Sequence, residues 1–166
     1  MFKKSYLIGL SIVFFLGTLF AAFLQGKTAA EYVGVSDLYP ISRIELHASD
    51  YNDTYPPHCL ILDPEEDAEL YNEIIDFVMT QRFLLWKTEP QLVPLEEIPE
   101  SVAIECRIPL FSGTGYRSLI FGFLENGKIC FNWYEQSKQQ EVGYIYFLTD
   151  CPFSFERIEA YIVKAE

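Results

Sequence analysis

The chain has 166 residues, half of them hydrophobic, with 24 acidic side chains against 12 basic ones. All 24 acids lie beyond residue 30, where 9 of the bases remain, so residues 31–166 carry a charge of −15. A field of that sign repels nucleic-acid phosphates and anionic lipid headgroups and excludes both as partners, and the length suffices for one hydrophobic core.

The segment Tyr6 to Leu24 contains no charged residue and nothing more polar than Ser11 and Thr18. At ~1.5 Å per residue a helix there covers nearly the ~30 Å hydrocarbon thickness of a bilayer. Lys3 and Lys4 precede it, so the positive-inside bias keeps the N-terminus cytoplasmic and places the rest outside. The expectation is a single-pass membrane protein with residues 1–26 as anchor, 27–40 as linker and 41–166 as an extracytoplasmic domain. The alternative is a signal segment cleaved after Ala30, with Thr28 at position −3, and secretion. Cleavage after Ala22 or Gly26 would place Phe20 or Leu24 at −3, the wrong residue type.

Within the domain, Ile44 and Leu46 alternate with Arg43, Glu45 and His47, which predicts a half-buried strand over 42–48. A turn-rich loop, SDYNDTYPP, leads to the apolar run His58 to Asp63, read as a second strand paired with the first. Asp63-Pro64-Glu65-Glu66 then supplies an N-cap, a proline at the first helical position and an acid at N3. Tyr71, Ile74, Ile75 and Val78 continue at helical spacing, predicting a helix from Pro64 to Gln81 with Phe83 to Trp86 either helical or extended. Pro90, Pro94 and Pro99 exclude a helix over 87–101.

The second half is β-rich, with strands expected over 102–110, 116–124, 128–134 and 142–149 and a closing helix over 154–164. Asn126-Gly127 marks a hairpin. Closing it as a two-residue turn pairs Leu124 with Ile129 and Ile120 with Trp133, gathering Ile120, Leu124, Ile129, Phe131 and Trp133 on one face. The predicted class is α+β: a mostly antiparallel sheet with one or two packed helices, preceded by an N-terminal transmembrane helix.

That register leaves Leu119, Phe121, Phe123 and Tyr134 on the second face around Cys130 and Asn132, where a sheet covered on one side should be polar. Leu119, Phe121, Phe123, Asn132 and Tyr134 are therefore the candidate binding residues, forming an aromatic patch open to a partner. No catalytic residue, metal ligand or cofactor is assigned. The acids from Asp63 to Glu69 enter a helix and read as capping, without the glycine of a calcium loop. Asp50-Tyr51-Asn52-Asp53 lacks that glycine too. His47 and His58 have no metal-site spacing, and Phe111-Ser112-Gly113-Thr114-Gly115 is a turn rather than a nucleophile elbow. Glu105 and Arg107 share a strand face and read as a structural ion pair with a neighbouring strand. Cys59, Cys106, Cys130 and Cys151 contain no CxxC pair and permit two disulfides in three connectivities.

With its charged, apolar N-terminus, the SRIEL strand, the run LILDPEEDAELYNEIIDF and the ENGK turn, the chain resembles a loose class of small exported domains of Gram-positive bacteria. The resemblance implies an extracytoplasmic, non-enzymatic role and carries no catalytic residues. The functional expectation is a domain that binds a protein or cell-envelope component. The rival readings are an exported hydrolase with an unrecognised site and an inhibitory or structural module.

Overall fold

The computed structural model describes residues 11–18, 26–35, 40–49, 59–87, 101–110, 115–135 and 138–165. In chain order these give helix α1 (11–18), strand β1 (Lys27–Thr28), α2 (Ala29–Val33), β2 (Arg43–Ser49), β3 (Cys59–Ile61), α3 (Ala68–Thr80) and β4 (Arg82–Lys87). They continue with β5 (Ser101–Pro109), β6 (Tyr116–Leu124), β7 (Ile129–Glu135), β8 (Lys138–Phe147) and α4 (Phe155–Lys164). The strands form one eight-stranded sheet in the order β1-β4-β8-β7-β6-β5-β2-β3. Every neighbouring pair is antiparallel.

Two parts of the expected class are corrected. Four helices occur among the described residues instead of one or two. The transmembrane helix expected over Tyr6 to Leu24 is not found: the described helix there is 11–18, and no described helix is long and apolar enough to cross a membrane. The rest of that segment lies outside the described residues, as do the loop 50–58 and the proline-bearing stretch 88–100.

Residues expected as linker instead fold onto the sheet. Thr28 Oγ1 accepts the Glu31 N–H at 3.2 Å and Glu31 Oε2 accepts the Thr28 N–H at 2.9 Å, a reciprocal cap that starts α2. Gly34 ends it at φ 73°, donating its N–H to Ala30 O. Ala29, Ala30 and Val33 are buried, and Tyr32 stacks on Phe83 with ring centroids 5.3 Å apart.

The main helix begins one turn later than expected. Asp63 Oδ1 still accepts the N–H groups of Glu65 and Glu66, at 2.7 and 3.1 Å, but in the reciprocal bond the Asp63 N–H donates to Asp67 Oδ2 at 2.9 Å. These bonds from Glu66 and Glu65 hold the Asp63 carboxyl below its usual range. Its charge therefore contributes stability above pH ~4 that is lost as the carboxyl protonates in acid. Asp63→Ala should lower the melting temperature at pH 7, and Asp63→Asn, which keeps the acceptor oxygen, should lower it less. Both differences should shrink on acidification; thermal melts across pH check this.

The register of the β6–β7 hairpin decides the faces. Leu124 and Lys128 close a loop of Glu125, Asn126 and Gly127, with Gly127 at φ 77° and Phe123 opposite Ile129. Asn126-Gly127 thus forms the end of a three-residue loop rather than the centre of a two-residue one. That shifts the expected register by one residue and exchanges the faces of β6 relative to β7. Leu119, Phe121 and Phe123 join Ile129, Phe131 and Trp133, with Val102, Ile104 and Cys106 of β5 beside them. α2, α3 and α4 cover this face: Phe77 of α3 meets Phe121, Phe147 and Phe153 at 4.8, 5.5 and 5.2 Å, and Ile158 and Ile162 of α4 are buried. Arg157 ties α4 to α3 through both oxygens of Glu73, at 2.8 and 2.7 Å.

Candidate functional site

The opposite sheet face carries the chemistry. Because Ile44 and Leu46 are buried in the core, alternation turns Arg43, Glu45 and His47 of β2 to that face. Register then places Cys59 of β3 opposite His47, Glu105 of β5 opposite Glu45, and Arg107 opposite Arg43. Ser118 of β6 lies opposite Arg107.

Two carboxylates sit directly across the β2–β5 pair, an arrangement that is unfavourable without counter-charge. Arg43 Nε pairs with Glu45 Oε1. Arg107 bridges the two acids, from Nη2 to Glu45 Oε2 at 3.2 Å and from Nε to Glu105 Oε1 at 2.9 Å. The Ser118 hydroxyl donates to the same Glu105 oxygen at 2.6 Å. The ion pair expected of Glu105 and Arg107 with a neighbouring strand is present as this bridge.

The remaining oxygens converge elsewhere. Glu45 Oε2 lies 3.4 Å and Glu105 Oε2 3.3 Å from His47 Nε2, a buried atom without an aligned hydrogen bond. The Cys59 thiol donates weakly to Glu45 Oε2 at 3.7 Å. The donor atoms of Glu45, His47 and Cys59 all lie within 4.8 Å of one another. The Glu45 side chain is 3% exposed.

The facing His47 imidazole, with the hydrogen bonds from Ser118 and Arg107, holds Glu105 at about 2 against the desolvation that would raise it. Burial and the adjacent Glu45 carboxylate push the Cys59 thiol up. Both effects oppose thiolate formation at Cys59.

All four cysteines are free thiols, so neither of the two disulfides that their number permits is formed. Cys106 is fully buried, and desolvation holds its thiol protonated. A cavity of about 360 Å³ opens between the start of α3 and the end of α4, with Leu60, Leu62, Leu70 and Tyr161 in its walls and Glu66 and Glu69 beside them. Asp67 and Lys164 line it as well.

The sequence-based binding residues are split by the one-residue shift. Leu119, Phe121 and Phe123 are core side chains beneath the helices, a correction to their assignment as an open patch. Asn132 and Tyr134 are half-buried, and Asn132 lies on the open face with Cys130. The exposed aromatics are others: Trp86 of β4 and Tyr146 of β8 are 69% and 65% exposed. Register sets Trp86 opposite Tyr144 and Leu84 opposite Tyr146, and the Lys128 ammonium stands 5.3 Å over the Tyr144 ring. No protein-family model, curated protein or solved structure matches this chain.

Proposed function

We propose that this is an exported domain that binds a protein or cell-envelope component through the aromatic end of its open sheet face, where β4 meets β8. The observation that carries this reading is the exposure of two aromatic side chains on neighbouring strands, Trp86 and Tyr146, about two-thirds exposed on a face that no described helix covers. A sheet face turned to water is ordinarily polar. Large aromatic side chains supply contact area with only two torsions to fix, which is why they recur as binding anchors. The net charge of −15 over residues 31–166 turns away polyanions and favours a neutral or basic ligand. Export is supported by Lys3 and Lys4 ahead of the apolar segment and by the exposure of Ile12 to Leu16, which the core of the domain does not take up.

The test is co-sedimentation of the full chain, in detergent, with purified Gram-positive cell-wall fragments, in parallel with the double variant Trp86→Ala/Tyr146→Ala. Truncating anchors of this type costs about 2 kcal/mol or more in affinity, while exposed positions leave stability nearly unchanged. Sedimentation of the wild type that the variant loses at an unchanged melting temperature is the expected result. Equal sedimentation of both proteins would sink the aromatic site. A phosphatase reporter fused after Glu166 should be active only if the domain leaves the cytoplasm, and an inactive fusion would reject export.

A further inference from the structure

The convergence on the other half of the open face does not belong to the aromatic row. It joins a thiol, an imidazole nitrogen and a carboxylate oxygen, three different donor types, from two strands, with a second carboxylate from a third strand. Such a mixture suits a borderline-soft divalent cation and not calcium or magnesium, which take oxygen alone. We propose that Glu45, His47 and Cys59 bind a zinc-class divalent cation.

With zinc at ~2.0–2.1 Å from nitrogen or oxygen and ~2.3 Å from sulfur, tetrahedral angles put N···O edges near ~3.4 Å and S···O edges near ~3.6 Å. His47 Nε2 to Glu45 Oε2 is 3.4 Å and Cys59 Sγ to Glu45 Oε2 is 3.7 Å, so two edges of the three-donor set match. Protons explain the contacts less well. His47 Nε2 is buried at those distances with neither carboxylate in hydrogen-bond alignment, and a 3.7 Å thiol contact is a weak bond.

The surrounding groups fit an outer shell. The Glu45 carboxylate presents Oε2 to the cation and keeps Oε1 for Arg43. Glu45 Oε2 also accepts from Arg107 at 3.2 Å, which a carboxylate oxygen with two lone pairs does while ligating. Outer-shell hydrogen bonds of this kind fix ligand orientation. Charge is compatible as well: two arginines offset the two glutamates, so binding leaves a dication on one thiolate and a neutral imidazole. Three protein ligands leave the fourth position to water. The cation would pin β3, a three-residue edge strand, to β2.

The experiment uses the full chain in detergent, reduced, stripped with chelator, and titrated with Co(II) as spectroscopic probe and then with Zn(II). One equivalent of Co(II) should produce tetrahedral ligand-field bands and a thiolate-to-metal charge-transfer band, and one equivalent of Zn(II) should abolish them. Cys59→Ser and His47→Ala should each remove the charge-transfer band or the stoichiometric binding, whereas Cys151→Ser should keep both. Arg43→Ala, touching only the outer shell, should weaken zinc affinity by about 10-fold. Cys59 is exposed, so its serine variant removes no core contact, and matched melts of the metal-free proteins verify its fold. A measurement on the wild type guards against misfolded variants: Zn(II) should slow alkylation of Cys59 selectively among the four thiols, read by peptide mass spectrometry. Absence of the charge-transfer band at excess Co(II), its survival in Cys59→Ser, or zinc-independent alkylation of Cys59 would each overturn the proposal.

Discussion

Replacing Phe121 and Phe123 together by serine should unfold the domain. Phe121 is 1% exposed and lies within ring-contact distance of Phe77 at 4.8 Å, Phe131 at 5.2 Å and Phe83 at 6.1 Å. Phe123 is 2% exposed and stands opposite Val102 and Ile129. Truncating one buried phenylalanine costs about 3–5 kcal/mol, and each serine adds a hydroxyl to a site without water. Two such losses approach the whole stability of an ordinary domain, about 5–15 kcal/mol. The single variants should fold with strongly lowered denaturant midpoints, and the double variant should lack a cooperative transition. A double variant that melts near the wild type would place these rings on the open face and invalidate the hairpin register.

That register is also where the sequence stopped being legible. The alternation of β5 and β6 gave two strands and two distinguishable faces, and both strands fall where their patterns placed them. Which face of β6 joins which face of β7 depended on a single loop residue. Asn-Gly serves a two-residue turn as the central pair and a three-residue loop as its last two positions, and the difference flips every side chain. Aromatic content could not arbitrate, because both faces of β7 and β8 are apolar enough to be core.

The N-terminal segment failed for another reason. Thr28-Ala29-Ala30-Glu31, followed by Gly34, is a capping box and a helix-ending glycine, and it was readable as such. Its position just past the apolar stretch suggested a linker instead. A five-residue helix also has no periodicity to detect, and its burial depends on partners 50 or more residues away, such as Phe83 and Phe131.

The cluster on β2, β3 and β5 was half legible. Glu45 and His47 alternate with the core residues, and Glu105 with Arg107 does the same, so each pair was assignable to a face. Bringing Cys59 opposite His47 needed the β2–β3 register, which no short turn fixes because the intervening loop is long. Spacing rules for metal sites read ligands along one segment, and the proposed set is assembled across strands, from residues 45, 47 and 59.

Arg107→Ala should destabilise the chelator-treated protein by about 3 kcal/mol, and more than Glu45→Ala does. The asymmetry follows from which charge each change strands. Removing Glu45 leaves guanidinium groups of Arg43 and Arg107 that are 44% and 30% exposed and can turn to water. It also relieves the repulsion between Glu45 and the facing Glu105. Removing Arg107 leaves the Glu45 carboxylate, 3% exposed, with Arg43 as its remaining guanidinium and the like charge of Glu105 opposite. Glu105 at the same time loses the 2.9 Å donor to its Oε1 and keeps Ser118. A buried carboxylate that cannot reach water bears its desolvation uncompensated. The double variant Arg107→Ala/Glu45→Ala should therefore recover part of the loss, giving a coupling energy of about 1 kcal/mol or more from the four-protein cycle. Urea midpoints at constant slope measure all four. If Arg107→Ala proves no costlier than Glu45→Ala and the cycle closes without coupling, the Glu45 carboxylate is solvated and the bridge is only a surface contact.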